Sequence, residues 1–397
     1  MMQTNQTKLY ITICLLWVAH FLVDLMIGIW PVYKTMMHLD LAKAGLIAAA
    51  CAFAGEGMQV VFGSLSDRGY GKILIIGGVA AAAANSLLSY TADYWILFFL
   101  FLLTCLGSGA FHPASVGLLG NLTENRKSLY ITIFASGGGL GIALSQLIFS
   151  NSYTFFNGNT MFLAIPALCV VILASFFRFS EPKVRSTSSG HALNFRAYGD
   201  FFRRRELVLL YASQVCNQSL TWGTVFLLPD VLVWRGYETW IAFGGGHFCY
   251  AIGGALMMVP GGYLADRYSS KVVIITATVL GMIFFYTFLF IPFQSTIPLL
   301  GILLLMGATM NVVNPVSIAF GTKMMPENPG IASACLMGLV WCVAEGIGQG
   351  GGGLLTKLFE EDAAARALAC LGGLFLVGLL AASRLPSRVP DRSVLEV

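Results

Sequence analysis

Apolar residues run along the chain in long stretches separated by short polar loops. A helix needs about 20 apolar residues to cross the hydrocarbon core of a bilayer. Twelve such stretches can be cut from the chain: residues 9–33, 43–65, 72–91, 95–118, 128–150, 160–180, 206–230, 239–263, 271–292, 297–320, 330–356 and 363–384. They are numbered spans 1 to 12 below. Span 1 is too long for a secretory h-region and lacks an obvious cleavage site, so it reads as a retained spanning helix. Most connections are short. The exception runs from Glu181 to Arg205 and holds Lys183, Arg185, Arg196, Arg203, Arg204 and Arg205 among Ser, Gly and Asn. The pattern predicts an N-terminal six-helix bundle over 1–180, a basic linker over 181–205 and a C-terminal six-helix bundle over 206–397.

Composition sharpens this. Of 397 residues, 57% are hydrophobic and 11% charged, where about 25% charged is usual in soluble domains. The mean hydropathy is +0.78. A soluble fold cannot hide that much apolar surface, and disorder needs far more charge. The expected fold class is an all-α polytopic membrane protein.

The net charge of +4 is small and the basic residues lie between apolar runs, which argues against a nucleic-acid partner. Eighteen of the 23 Lys and Arg fall on the termini and the loops after the even-numbered spans; Lys34, Lys43, Arg235, Lys357 and Arg366 fall on the other side. The positive-inside rule therefore places both termini and the linker in the cytoplasm. The nine Cys lie inside apolar stretches, form no C-x-x-C pair and are odd in number. They read as small buried hydrophobes rather than disulfides or metal ligands.

The chain repeats itself. The loop after span 2 carries Gly63, Leu65, Asp67, Arg68 and Lys72; the loop after span 8 carries Gly262, Leu264, Asp266, Arg267 and Lys271. Both read G-x-L-x-D-R-x-x-x-K. His112, Pro113 and Ser115 in span 4 parallel Asn314, Pro315 and Ser317 in span 10. Pro31 parallels Pro229, and Gln146 parallels Gln349. The offsets run from 198 to 203 residues and keep their order, which implies two parallel six-helix halves. Gly63 and Gly262 would allow close helix approach or a sharp exit. Asp67 and Asp266 could accept from a neighbouring helix N-terminus or pair with Arg, and Arg68, Arg267 and the lysines add positive charge on the cytoplasmic face. These loops read either as topology determinants or as a cytoplasmic latch between helices that part during transport.

With this repeat the sequence resembles the major facilitator superfamily over essentially its full length. The resemblance implies two six-helix bundles rocking about a central cavity. A narrower resemblance rests on Ala19, His20, Phe21, Leu22, Val23 and Asp24 in span 1, on Pro31 to Lys34, and on Gly107 to Ser115 in span 4 with its Phe111-His112-Pro113 element. These look like the fosmidomycin-resistance branch. That branch implies a bacterial inner-membrane exporter of phosphonates and other drugs, driven by proton influx.

A charge at the bilayer centre costs about 2.5–3.5 kcal/mol on insertion scales, so intramembrane ionisable residues should face a bundle interior or a cavity. His20 and Asp24 stand at i and i+4, on one helix face, where they can share or relay a proton or form a static pair. Asp24 is the first candidate for proton coupling, with His20, Glu56 and Glu345 beside it. His112 precedes a proline that should kink span 4, which would turn the imidazole toward substrate or leave it as a packing group. His112, Asn314, Asn217, Gln59, Gln146, Gln349 and Trp222 are the candidate substrate contacts. His247 reads as a packing histidine.

No G-x-x-x-x-G-K-[ST], H-E-x-x-H, Cys/His cluster or G-x-S-x-G elbow occurs, so neither ATP hydrolysis, a resident metal, a cofactor nor catalysis is expected. The reading is a proton-coupled secondary transporter acting as a monomer in a lipid bilayer and exporting a small organic compound, drug-like or a phosphonate or organic anion. The alternative is a proton-coupled importer of an organic anion or nutrient, and a further one is a non-transporting receptor on the same fold.

Overall fold

The computed structural model describes residues 2–122, 127–177, 179 and 195–387, and the ordered elements among them are all helical. Among the described residues, nine stretches are long and apolar enough to cross a membrane. One of them, Leu41–Tyr90, is 50 residues long and holds spans 2 and 3 together. Span 6 is a shorter helix, Ala164–Phe176, and span 7 is the 30-residue helix Arg205–Trp234. All twelve predicted spans thus have a helical counterpart. Their outward faces are apolar: Phe176, Ile297, Val259 and Trp95 are 86%, 84%, 81% and 73% exposed. Water would not tolerate so many large apolar side chains on one surface; lipid does.

The breaks between helices have local causes. Span 1 runs from Met2–Ile27 into Trp30–Met36, which restarts with Pro31 in its first turn, where a missing N–H costs nothing. Asp40 caps span 2, Leu41–Leu65, by accepting from the Lys43 N–H at 3.0 Å. Asp93 caps span 4, Tyr94–Leu122, by accepting from the N–H groups of Trp95 and Ile96 at 2.9 and 3.1 Å. Spans 2 and 3 meet at a wide turn, Ser66–Tyr70, in which Gly69 takes φ 96.

Contacts divide the chain into two compact units. The first holds Met1–Ala192 and Gly236–Phe248; the second holds Leu193–Arg235 and Cys249–Val397.

In the first unit, span 4 is clamped between spans 2 and 3 by glycines. A Cβ on Gly55 would lie 2.7 Å from the Cys105 carbonyl oxygen, and one on Gly109 would run into the Gly55 backbone. On the other side, Gly78 and Gly107 face each other's carbonyl oxygens at 2.7 and 2.6 Å from their virtual Cβ atoms. The second unit repeats the device, since a Cβ on Gly253 would strike Leu304 and one on Gly307 would strike Tyr250. Small residues of this kind let membrane helices touch backbone to backbone.

Span 4 also holds Pro113. The sequence predicts a kink there, and the helix continues through Pro113 from Tyr94 to Leu122. A break falls in span 10, which divides at Val312 into Thr296–Asn311 and Val313–Met324, beside Asn314 and Pro315.

The lysines of the repeated loops bond to helix ends. Lys72 Nζ donates to the Ser175 and Phe177 carbonyls at 2.9 and 3.0 Å, closing the end of span 6. Lys271 Nζ donates to the Leu385 carbonyl at 2.6 Å, beyond the end of span 12. Most of the predicted linker, together with both chain ends, lies outside the described residues. Its last part is a helix, Phe195–Arg203, which the Arg-rich composition hid. Phe201 from that helix is fully buried with Leu207, Leu210, Phe320 and Leu336 of the second unit.

All nine Cys are free thiols, but Cys14, Cys169 and Cys370 are exposed on apolar helices and not buried as expected.

Candidate functional site

Three ionisable side chains converge in the first unit. His20 and Asp24 come from span 1 and His112 from span 4. His20 Nε2 lies 3.3 Å from Asp24 Oδ2, His112 Nε2 lies 3.3 Å from Asp24 Oδ1, and the two Nε2 atoms are 3.0 Å apart. The side chains of His20, Asp24 and His112 are 8%, 17% and 27% exposed, so the group is mostly buried with His112 at its open side.

Main-chain groups orient both rings. His20 Nδ1 sits 2.8 Å from the Phe134 carbonyl oxygen, and His112 Nδ1 sits 2.9 Å from the Ser108 carbonyl oxygen. A carbonyl only accepts, so each Nδ1 carries hydrogen when it bonds to these oxygens; Ser108 Oγ, 3.2 Å from His112 Nδ1, is a second partner there. The Phe134 ring stacks on His20 with centroids 4.1 Å apart. With both Nδ1–H groups committed, neutral rings would turn two nitrogen lone pairs toward each other and toward a carboxylate. All three groups would then be acceptors. One shared proton removes this conflict, because it turns an Nε2 into a donor to the other ring or to Asp24.

Span 5, Lys127–Phe155, makes room for the cluster. A Cβ on Gly138 would collide with His20 and Asp24, one on Gly141 with the Phe21 carbonyl, and one on Gly137 would lie 2.7 Å from the Trp17 carbonyl oxygen. The glycine run therefore lets span 5 lie directly on span 1. Trp17 Nε1 donates to Ser136 Oγ at 3.1 Å across the same contact.

Glu56 is half-buried in span 2 and accepts from Gln59 Nε2 at 2.6 Å. It lies within electrostatic reach of Asp24 and His112. Thus His20, Asp24, His112, Glu56 and Gln59 belong to one neighbourhood. Gln146, also in the first unit, is fully buried, and both of its amide atoms lack a partner among the described residues.

The other candidates lie in the second unit. Glu345 accepts from Gln349 Nε2 at 2.7 Å, a counterpart of the Glu56–Gln59 pair. Asn314 accepts from Gln214, a partner that the sequence reading did not single out. Asn217 accepts from Gln218 at 3.2 Å while its own Nδ2 is unpartnered among the described residues, as is Trp222 Nε1.

The latch candidates are spread out. Asp67 and Arg68 are at the surface. Asp266 pairs with Lys323 at 2.9 Å, and Arg267 donates to the Tyr263 hydroxyl at 3.2 Å. A Cβ on Gly63 would meet Pro113 only at an ordinary 3.7 Å, and one on Gly262 would meet nothing, so neither glycine is needed for close approach. His247 is buried, its Nε2 2.9 Å from the Ile142 carbonyl oxygen and its Nδ1 unpartnered among the described residues.

The Major Facilitator Superfamily model matches residues 13–349, and again 239–395. The chain belongs to the major facilitator superfamily. A relative in Bacillus subtilis (strain 168), described as the uncharacterized MFS-type transporter YfnC, is 20% identical over 390 residues, covering 96% of this chain and 94% of that one. Among solved structures, the nucleoside transporter NupG aligns with a TM-score of 0.74 at 16% identity, covering 94% of this chain and 98% of the other. A bacterial homologue of the human lysosomal transporter Spinster, inward-facing and unoccupied, aligns with a TM-score of 0.77 at 13% identity, covering 95% of each chain. The superfamily chain is thus a multi-pass membrane transporter, and identities this low speak for the fold alone.

Proposed function

We propose that the protein is a proton-coupled secondary transporter that exports a small organic compound, drug-like or a phosphonate or organic anion, from a bacterial cytoplasm across the inner membrane. The observation that carries this is the convergence of three acceptor groups, Asp24, His20 and His112, which calls for a proton inside an apolar helix bundle. Loading that proton neutralises the conflict, and releasing it restores one. A group whose energy changes so sharply with a single proton can bias a conformational equilibrium. Glu56 and Glu345 are the further protonation sites in this reading.

Gln146, Asn217 and Trp222 support a substrate role because their buried polar atoms lack partners among the described residues. Each such group costs about 1–3 kcal/mol unless a ligand satisfies it. Gln59, Gln349, Asn314 and the open edge of His112 complete the proposed substrate contacts. Asp67, Arg68, Asp266 and Arg267, with Gly63 and Gly262, are the proposed cytoplasmic latch.

The test is proton flux in proteoliposomes loaded with a pH dye and challenged in turn with phosphonates, carboxylates, sugar phosphates and lipophilic drugs. Flux evoked by one class and abolished in Asp24→Asn is the expected result. Its sign separates export in exchange for protons from import with them. Undiminished flux in Asp24→Asn would remove the carboxylate from the mechanism.

A further inference from the structure

We propose that His20, Asp24 and His112 form a binding site for one divalent transition-metal ion of the zinc class. The donor set is two imidazole nitrogens and a carboxylate, and their ligand atoms lie within 4.8 Å of one another. The separations are more telling: 3.0 Å between the two Nε2 atoms and 3.3 Å from each to an Asp24 oxygen. Zinc–nitrogen bonds of about 2.0–2.1 Å in a tetrahedron put neighbouring ligand atoms roughly 3.3 Å apart. The two imidazole nitrogens, and each nitrogen with the carboxylate oxygen nearest to it, stand close to that spacing, Asp24 turning Oδ2 to His20 and Oδ1 to His112.

The surroundings match as well. A ligating histidine is normally held by its other ring N–H, often on a backbone carbonyl, which fixes the tautomer and strengthens the donor nitrogen. Both histidines have this support, from Phe134 and Ser108. Imidazole nitrogens suit zinc, cobalt, nickel and copper, whereas magnesium and calcium prefer an all-oxygen shell. Three protein ligands leave the fourth position of zinc for water or an anion. His112, the most exposed of the three, marks the side from which that ligand would enter.

The sequence gives no metal motif because the donors come from two helices 88 residues apart, from Asp24 to His112. This inference goes beyond the proton reading. It needs only the three donors, and an ion and a shared proton would exclude one another at the same atoms.

The experiment uses the full chain, without a histidine tag, in lipid nanodiscs. Cobalt(II) is titrated in and followed by its d–d absorption, then displaced with zinc and, separately, magnesium. One saturable ion per chain is expected, displaced by zinc and not by magnesium. His20→Ala, His112→Ala and Asp24→Asn should each weaken binding by more than about tenfold, since even outer-shell changes reach that size. His38→Ala and His247→Gln, outside the cluster, should leave it unchanged. His112→Cys restores a zinc ligand and should recover affinity lost in His112→Ala, which separates lost ligation from misfolding.

No saturable binding by protein with an intact melting transition would overturn the site, as would binding that survives all three cluster variants. Proton flux measured on the same preparations keeps the two readings apart. Binding without flux sinks the coupling role and leaves the metal site, and flux without binding does the reverse.

Discussion

Gly138 is the residue on which the cluster most depends, although it carries no functional atom. Its hydrogen side faces His20 and Asp24 with no space for a methyl group. Gly138→Ala should therefore push span 5 off span 1 and cost about 1–3 kcal/mol, the usual range for overpacking. Thermal unfolding in nanodiscs would register this as a lower midpoint, and proton flux should fall with it. Gly139→Ala is the control, because a Cβ there meets nothing within 4 Å; an equal loss in both variants would refute the steric argument. The His20–Asp24 pair was legible in the sequence, since four residues of one helix bring side chains to one face. His112 was legible as chemistry but not as a partner, because its place beside Asp24 depends on how spans 1 and 4 pack. The Phe134 and Ser108 carbonyls could not be read at all: every residue has one, and only the packed fold shows which are aimed at a ring.

At the level of elements, the helices were readable and their joints were not. Hydropathy runs give spans because backbone groups in lipid must bond within their own helix. Where a helix divides is not given by hydropathy, as the continuous helix through Pro113 and the divided span 10 illustrate. The glycine clamp gives a direct expectation. Gly109→Leu should wedge span 4 from span 2 and abolish stable expression, measurable as loss of a monodisperse peak in detergent. Gly77→Leu, where a Cβ would meet nothing within 4 Å, should be tolerated. The motif lysines also behave as parts of elements. Lys72 closes two carbonyls after span 6, so Lys72→Met should lower stability by about 1 kcal/mol. Lys271→Met should do the same through the end of span 12. A denaturation series that moved for one lysine and not the other would break the parallel between the halves.

For the whole molecule, the distribution of Lys and Arg is the quantity that sets the expected orientation. Orientation stays an expectation drawn from the sequence, since insertion responds to loop charge and not to packing. A membrane-impermeant thiol reagent should label Ser188→Cys only when the cytoplasmic face is exposed, and Glu360→Cys from the opposite face, both in a cysteine-free background. Labelling of Ser188→Cys in intact cells would reverse the assigned topology. The superfamily itself was visible through the repeated G-x-L-x-D-R-x-x-x-K loops, which recur together with their lysine caps. Substrate identity was not, because the unpartnered amides and indole of Gln146, Asn217 and Trp222 specify hydrogen bonding without specifying a molecule.

The anchoring of both histidines on main-chain oxygens has a consequence for genetics. The tautomers of His20 and His112 are written into the backbone at positions 134 and 108, where no codon change short of a backbone rearrangement can erase the acceptor. Substitutions at the buried positions 108 and 134 should therefore act through packing and not through loss of the acceptor, while a saturation screen for loss of function should find position 138 intolerant of nearly all side chains. Conservative change at the two anchoring positions would leave both carbonyl acceptors in place. Alignments that score side-chain identity would then undervalue two of the contacts that define the site.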